Sequence, residues 1–174
     1  MIKCVFFDRD GIVNQSPGPG KYVLAWEEFR LQPEFPTCLR LAQARGYAAA
    51  IVTNQRAVAR GLLSAAELAE IHQRLRTLLQ SEHQLALLDI IACPHADGEC
   101  TCRKPQPGML LTLAQRHAIN LSQSWMIGDA ERDIEAGRRA GCRTIRVGGA
   151  GEQTHADFIV TSMADLPAPL ATLL

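Results

Sequence analysis

Short, almost wholly apolar runs alternate along the chain with longer segments in which apolar positions recur every three or four residues. The first run covers residues 2–7 and is rich in Val, Ile and Phe, the composition of a strand buried on both faces of a parallel sheet. It stops abruptly at Asp8-Arg9-Asp10-Gly11, and residues 14–33 then turn to Pro, Gly and polar side chains, which predicts a surface flap over the strand end. A helix is predicted over 36–45, stopped by Gly46, and a second buried strand over 47–52 delivers Thr53-Asn54-Gln55. Ser64 and Glu67 have the spacing of a capping box, and Leu68, Ile71, His72, Leu75, Leu78 and Leu79 follow at helical spacing, so a helix is predicted from 64 to 80.

The alternation continues to the C-terminus. Strands are predicted over 87–92, 125–127, 144–147 and 158–160, with helices over 109–117 and 131–140 and a last helix closing the chain. Residues 93–108 form a loop crowded with Cys, Pro, Gly and basic side chains. Regular strand-helix alternation predicts an α/β fold with a doubly wound, Rossmann-like parallel sheet and right-handed crossovers. With 174 residues, no repeat and no linker, the whole chain, 1–174, is expected to be a single domain.

Charge changes the picture by what it removes. Eighteen basic residues balance eighteen acidic ones, so no bulk field favours nucleic acid or an anionic membrane, and any anion must be recognised locally. No apolar run spans a bilayer and the N-terminal run breaks at Asp8, so a cytoplasmic location is expected. A chain that is 47% hydrophobic builds its core without disulfide staples, so the six cysteines are read as reduced.

In open α/β sheets ligands lie beyond the C-terminal ends of the strands. Four polar clusters fall there: Asp8 with Asp10, Thr53 with Asn54, Arg103 with Lys104, and Asp129 with Asp133. Carboxylates meeting in one crevice repel one another unless a cation neutralises them, and hard oxygen donors suit Mg²⁺. A lysine and a hydroxyl beside them complete a site for a phosphoryl group, whose transfer depends on positioning and charge neutralisation. Asp8 and Asp10 are two residues apart in an extended segment and face the same side, so one can attack phosphorus while the other manages the leaving group's proton. An isolated Asp-x-Asp-Gly is commonly a solvated turn; four such clusters, each after a buried strand, make the chemical reading the stronger one.

A second constellation lies in the loop. Cys93, His95, Cys100 and Cys102 supply three thiols and an imidazole within ten residues, a Cys₃His set suited to a closed, structural Zn²⁺ site that stiffens the approach to Arg103 and Lys104. Cys4, Cys38 and Cys142 lie in apolar segments and are expected in the core, as are His72, His83, His117 and His155.

The ordered set Asp8-Arg9-Asp10-Gly11, Thr53-Asn54-Gln55, Lys104-Pro105 and Gly128-Asp129 with Asp133 resembles the four motifs of haloacid dehalogenase-type phosphatases. The resemblance implies that Asp8 is the nucleophile, Asp10 the general acid/base, and Thr53 and Lys104 the groups that stabilise the phosphoryl oxygens. It implies Asp8, the Asp10 carbonyl and Asp129 as Mg²⁺ ligands, with Asp133 in support, and hydrolysis through an aspartyl-phosphate. With no insert to form a separate lid, the resemblance implies a capless member. The metal loop running into Arg103-Lys104-Pro105 is similar to two subgroups, the D-glycero-D-manno-heptose 1,7-bisphosphate phosphatases and the histidinol-phosphate phosphatases, and Tyr22-Val23 and Ala59-Arg60-Gly61 favour the former. That likeness implies action on a small phosphorylated sugar, with Asn54, Gln55 and Arg103 contacting the substrate and Arg103 meeting its distal phosphate or the sugar; a monomer is expected. The chain departs from the heptose pattern at Arg56-Ala57, where Ser-Gly is usual, and at Ala130, where Lys is common. A binding module that has lost turnover is the reading from another class; the intact carboxylates, whose mutual repulsion costs stability, argue against it.

Overall fold

A computed structural model of the chain describes residues 1–149 and 151–174. Its strands are β1 (Lys3–Phe7), β2 (Tyr47–Asn54), β3 (Asp89–Cys93), β4 (Trp125–Gly128), β5 (Arg143–Val147) and β6 (Phe158–Val160), and its helices α1 (Phe35–Ala44), α2 (Arg56–Ala59), α3 (Ala65–His83), α4 (Gly108–His117), α5 (Glu131–Ala140) and α6 (Pro167–Leu173). All six strands join one sheet in the order β3-β2-β1-β4-β5-β6, and every neighbouring pair is parallel. The doubly wound sheet expected from the sequence is therefore present.

Side chains alternate across the sheet as the pleat requires. Val5 and Phe7 of β1, Ile51 of β2 and Ile127 of β4 enter a cluster that also takes Leu39 of α1, Leu75 and Leu79 of α3 and Leu170 of α6. Cys4 and Phe6 of β1, Val52 of β2 and Met126 of β4 point the other way, onto Met109, Leu110 and Leu113 of α4 and Ala136 of α5. Leu75 and Leu79 are wholly buried, and burying each stabilises the fold by about 1.5–3 kcal/mol. Cys4, Cys38 and Cys142 are buried, as expected.

α3 starts as its sequence predicts. Ser64 Oγ accepts from the Glu67 N–H at 3.1 Å, and Glu67 Oε2 accepts from the Ser64 N–H at 2.7 Å. Several elements differ from expectation, β3 beginning at Asp89 and α3 running on to His83. β2 runs on through Thr53 and Asn54, which pair with Ala92 and Cys93 of β3, so those polar residues sit on the strand itself. Cys93 is accordingly the buried end of β3 and not part of the following loop. α2 spans four residues, too few to generate a periodic signal. The histidines also depart from expectation, since none of the four is a core residue: His117 pairs with Asp89 at 2.8 Å, the exposed His155 with Glu131 at 3.0 Å, His83 is half-buried, and His72 is half-buried beside the active cleft. Among the described residues no helix is long and apolar enough to cross a membrane.

The strand order decides where the site lies. The chain leaves β1 toward β2 and β3 on one side and returns to β4 on the other, so β1 and β4 flank the point where the winding reverses. Phe7 is in register with Ile127, and the Asp8 N–H donates to the Ile127 carbonyl at 2.9 Å. Asp8 and Asp129 thus emerge side by side from adjacent strands.

Candidate active site

Lys104 is the centre of charge in the cleft. Its ammonium is fully buried and lies 2.7 Å from Asp8 Oδ1, 2.8 Å from Asp133 Oδ1 and 2.8 Å from the Val52 carbonyl. Carboxylate oxygens of Asp8, Asp129 and Asp133 all lie within 4.8 Å of one another. Burial pushes the Asp8 carboxyl up to about 7; the Asp133 charge adds to the shift and Lys104 opposes it. Asp129 is pushed up to about 6 by burial and again by Asp133, with Arg132 and Lys104 opposing. Three carboxylates against one ammonium leave the cluster short of positive charge.

Two further observations bear on a hard cation here. Asp133 Oδ2 accepts the Ala130 N–H at 3.1 Å, while its Oδ1, although charge-paired with Lys104, has no aligned hydrogen-bond donor. Gly11, at φ +99°, lies so close to Asp129 that a Cβ would stand 2.1 Å from Asp129 Oδ2; the backbone of the first loop is pressed against the carboxylate. An all-oxygen set under an excess of negative charge fits Mg²⁺.

Asp10 behaves differently from its neighbours. Its carboxylate turns out of the cluster and accepts from Arg9 Nη2 at 3.0 Å, Asn14 Nδ2 at 2.9 Å and Gln55 Nε2 at 2.9 Å. Burial would raise its pKa, but the Arg9 charge and these hydrogen bonds win, and it sits below the usual carboxylate value. Two acids of one short motif are therefore driven in opposite directions in the metal-free cleft, Asp8 toward its neutral form and Asp10 toward its charged form, so Asp8 needs a cation beside it to act as a nucleophile. Arg9, whose side chain is wholly buried, had no assigned role in the sequence reading; it also meets His72 Nε2 at 3.3 Å, and burial and the Arg9 charge push that imidazole down to about 3.

Thr53 and Gln55 are both buried, and Gln55 Nε2 donates to Thr53 Oγ1 at 2.8 Å as well as to Asp10. The Nε2 of Gln55, a residue the sequence places among the substrate contacts, is directed at Asp10 and Thr53. Asn54 clasps the backbone of Lys104 twice, donating to its carbonyl at 3.0 Å and accepting its N–H at 3.0 Å. Above this floor lies a cavity of about 390 Å³, rimmed by residues 16–22 of the flap together with Asn54, Arg56, Arg103 and Arg132. Tyr22 accepts from Arg60 Nη1 at 3.3 Å, tying the flap to the end of α2.

A family model described as HAD-hydrolase-like matches residues 101–166. The chain is 36% identical over 155 residues, 88% of its length and 87% of the relative's, to a D-glycero-beta-D-manno-heptose-1,7-bisphosphate 7-phosphatase of Pseudomonas putida. It is 35% identical over 168 residues, 92% and 87% of the two chains, to a D-glycero-alpha-D-manno-heptose-1,7-bisphosphate 7-phosphatase of Mycobacterium bovis. The chain belongs to the haloacid dehalogenase-like phosphatases. In structure it is similar to the D,D-heptose 1,7-bisphosphate phosphatase of B. bronchiseptica complexed with magnesium and phosphate, with TM-score 0.87, 30% identity and coverage of 99% and 100% of the two chains.

As in other members of the family, hydrolysis of phosphate monoesters is the activity of this phosphatase, and the end of β3 together with the loop that follows it carries the Cys/His group. Cys93, Cys100 and Cys102 place their sulfurs 3.2–3.5 Å apart, and His95 Nδ1 lies 3.5 Å from Cys93 and 3.4 Å from Cys102. Zn–S bonds of about 2.3 Å imply about 3.8 Å between thiolates in a tetrahedron, so four ligand atoms at these separations fit zinc with a small expansion. Burial pushes the Cys100 thiol up, but hydrogen bonds from Cys102 and the Arg103 N–H bring it down to about 7. In this phosphatase the Cys/His loop ends at Arg103, whose Nε meets Asp97 Oδ1 at 2.5 Å and whose Nη1 donates to the His95 carbonyl at 3.3 Å.

Proposed function

We propose that the chain removes the 7-phosphate of D-glycero-D-manno-heptose 1,7-bisphosphate, with Asp8 as nucleophile, Asp10 as acid and base, and Mg²⁺ held by Asp8, Asp129 and the Asp10 carbonyl. The observation that carries the chemistry is the convergence of Lys104 with Asp8, Asp129 and Asp133 at the reversal point of the sheet. The names and coverage of the relatives support the sugar.

Bound magnesium supplies the positive charge that keeps Asp8 ionised and offsets the charge of the phosphoryl oxygens. Lys104 holds Asp8 by Oδ1, which leaves Oδ2 to attack phosphorus. As the bond from phosphorus to the sugar oxygen breaks, Asp10, which takes up a proton when the phosphate dianion lies beside it, gives that proton to the sugar oxygen, and the phosphoryl group rests on Asp8. Asp10, now a carboxylate stabilised by Arg9, Asn14 and Gln55, takes a proton from water; the oxygen of that water attacks phosphorus, and phosphate leaves with Asp8 restored. The Lys104 ammonium and the Thr53 hydroxyl stabilise the oxygens that gain charge. Arg103, at the rim, meets the distal phosphate. In this reading Cys93, His95, Cys100 and Cys102 hold a structural Zn²⁺ that fixes the loop carrying Arg103 and Lys104.

The test is phosphate release from both heptose bisphosphate anomers, other sugar phosphates and histidinol phosphate, with and without Mg²⁺. Heptose bisphosphate should lead the panel, and Asp8→Asn should lose turnover while melting near the parent. Faster turnover of histidinol phosphate than of any sugar overturns the assignment.

A further inference from the structure

The cavity above Asp8 is lined by four cations, Lys21, Arg56, Arg103 and Arg132, and by two carboxylates, Asp10 and Asp129. The surplus is local, because the chain as a whole has 18 basic and 18 acidic residues. Neither carboxylate is available to the rim: Asp10 is paired with the buried Arg9, and Asp129 belongs to the oxygen cluster on the floor.

Two of the arginines share one anion beside the cavity. Asp97, on the metal loop, receives Arg103 Nε on Oδ1 at 2.5 Å and Arg56 Nη1 on Oδ2 at 3.3 Å. The charges of Arg103, Arg56 and Arg132 all act on this carboxyl and hold it below its ordinary pKa. Asp97 thus marks a point on which guanidinium groups from separate chain segments converge. Its side chain is 67% exposed, and exposed pairs of this kind contribute little. A phosphate dianion, which accepts from several guanidinium donors at once, outcompetes a single carboxylate there. The placement is built into the fold: Arg56 opens α2 just beyond Asn54, and Arg132 lies in the first turn of α5 just beyond Asp129.

We propose that Arg56 and Arg132, together with Arg103, grip the phosphate that is not hydrolysed, and so make the enzyme prefer a sugar bisphosphate to the corresponding monophosphate. This rests on the sugar-bisphosphate reading above and adds two specificity-determining residues to it.

Heptose 1,7-bisphosphate and heptose 7-phosphate are compared as substrates of the full chain and of its Arg56→Ala, Arg132→Ala and doubly substituted forms. Each single change should lower kcat/KM on the bisphosphate about tenfold more than on the monophosphate, chiefly through KM, and the double change roughly a hundredfold more. Arg56→Lys should recover part of the preference, since it restores charge without the fork. Equal losses on the two substrates, or none on either, overturn the proposal while leaving the heptose assignment standing. If the parent enzyme hydrolyses p-nitrophenyl phosphate but neither heptose phosphate, the sugar assignment fails and this inference falls with it.

Discussion

Gly128 is the last residue of β4, and replacing it with alanine tests how tightly the floor of the cleft is assembled. A Cβ there would stand 2.3 Å from Asp133 Cβ, 2.5 Å from its Oδ2 and 2.6 Å from its Cγ. Carbon atoms pack at about 3.5–4.0 Å, so Asp133 and the first turn of α5 must retreat by about 1.2 Å or more. Asp133 Oδ1 starts 2.8 Å from Lys104 Nζ, so a retreat of that size takes the pair to the limit of contact, and the 3.1 Å bond from the Ala130 N–H opens as well. Overpacking costs about 1–3 kcal/mol and the lost helix-start bond about 1 kcal/mol, together about 2–4 kcal/mol. For a chain of this size that is a fall in Tm of roughly 4–16 °C. Displacing Lys104's partner by about 1 Å should also lower kcat on p-nitrophenyl phosphate by about 100-fold. Melting by differential scanning fluorimetry and a chromogenic assay read both effects. A variant that melts within about 2 °C of the parent and keeps more than about half its kcat refutes the close-contact account.

Two further outcomes are expected. Cys100→Ser should drop bound zinc, measured by elemental analysis of purified protein, from about one ion per chain to well below one, and should lower Tm by several degrees; zinc-free parent protein, or an unchanged melting curve, would contradict a structural metal. The magnesium-induced rise in Tm should grow from pH 5 to pH 7.5: Asp8 and Asp129, raised to about 7 and about 6, keep protons in the metal-free fold that the unfolded chain releases near pH 4, so metal-free stability falls as pH rises through this window, whereas magnesium binds the ionised pair. A magnesium shift that does not vary with pH would show that neither carboxylate is the ligand.

The sheet was legible because its strands are buried on both faces and so read as unbroken apolar runs, and the floor because each run ends abruptly in polar residues. Asp8, Thr53, Asn54 and Asp129 could be located this way, while Lys104 and Asp133, farther from their strand ends, are legible from the ordered motif set. What could not be read depends on contacts distant in sequence. Arg9 between two aspartates looks like part of a surface turn, yet it is wholly buried, and one of its partners, His72, lies 63 residues away. Gln55 differs from Asn54 by one position on the strand end, and only the fold shows that it turns inward to Asp10 and Thr53. The pairing of His155 with Glu131 likewise follows from where β6 docks, which no local pattern encodes.

The clasp between Asn54 and the backbone of Lys104 separates two duties in this molecule. Below it, the groups that break the ester are anchored to strand ends deep in a rigid sheet, where small displacements are expensive. Above it, the rim is contributed by the flap, α2, the Cys/His loop and the start of α5, segments whose exposed side chains can be exchanged one at a time at little cost to the fold. Descendants of such a scaffold can change their choice of sugar while inheriting the hydrolytic apparatus intact.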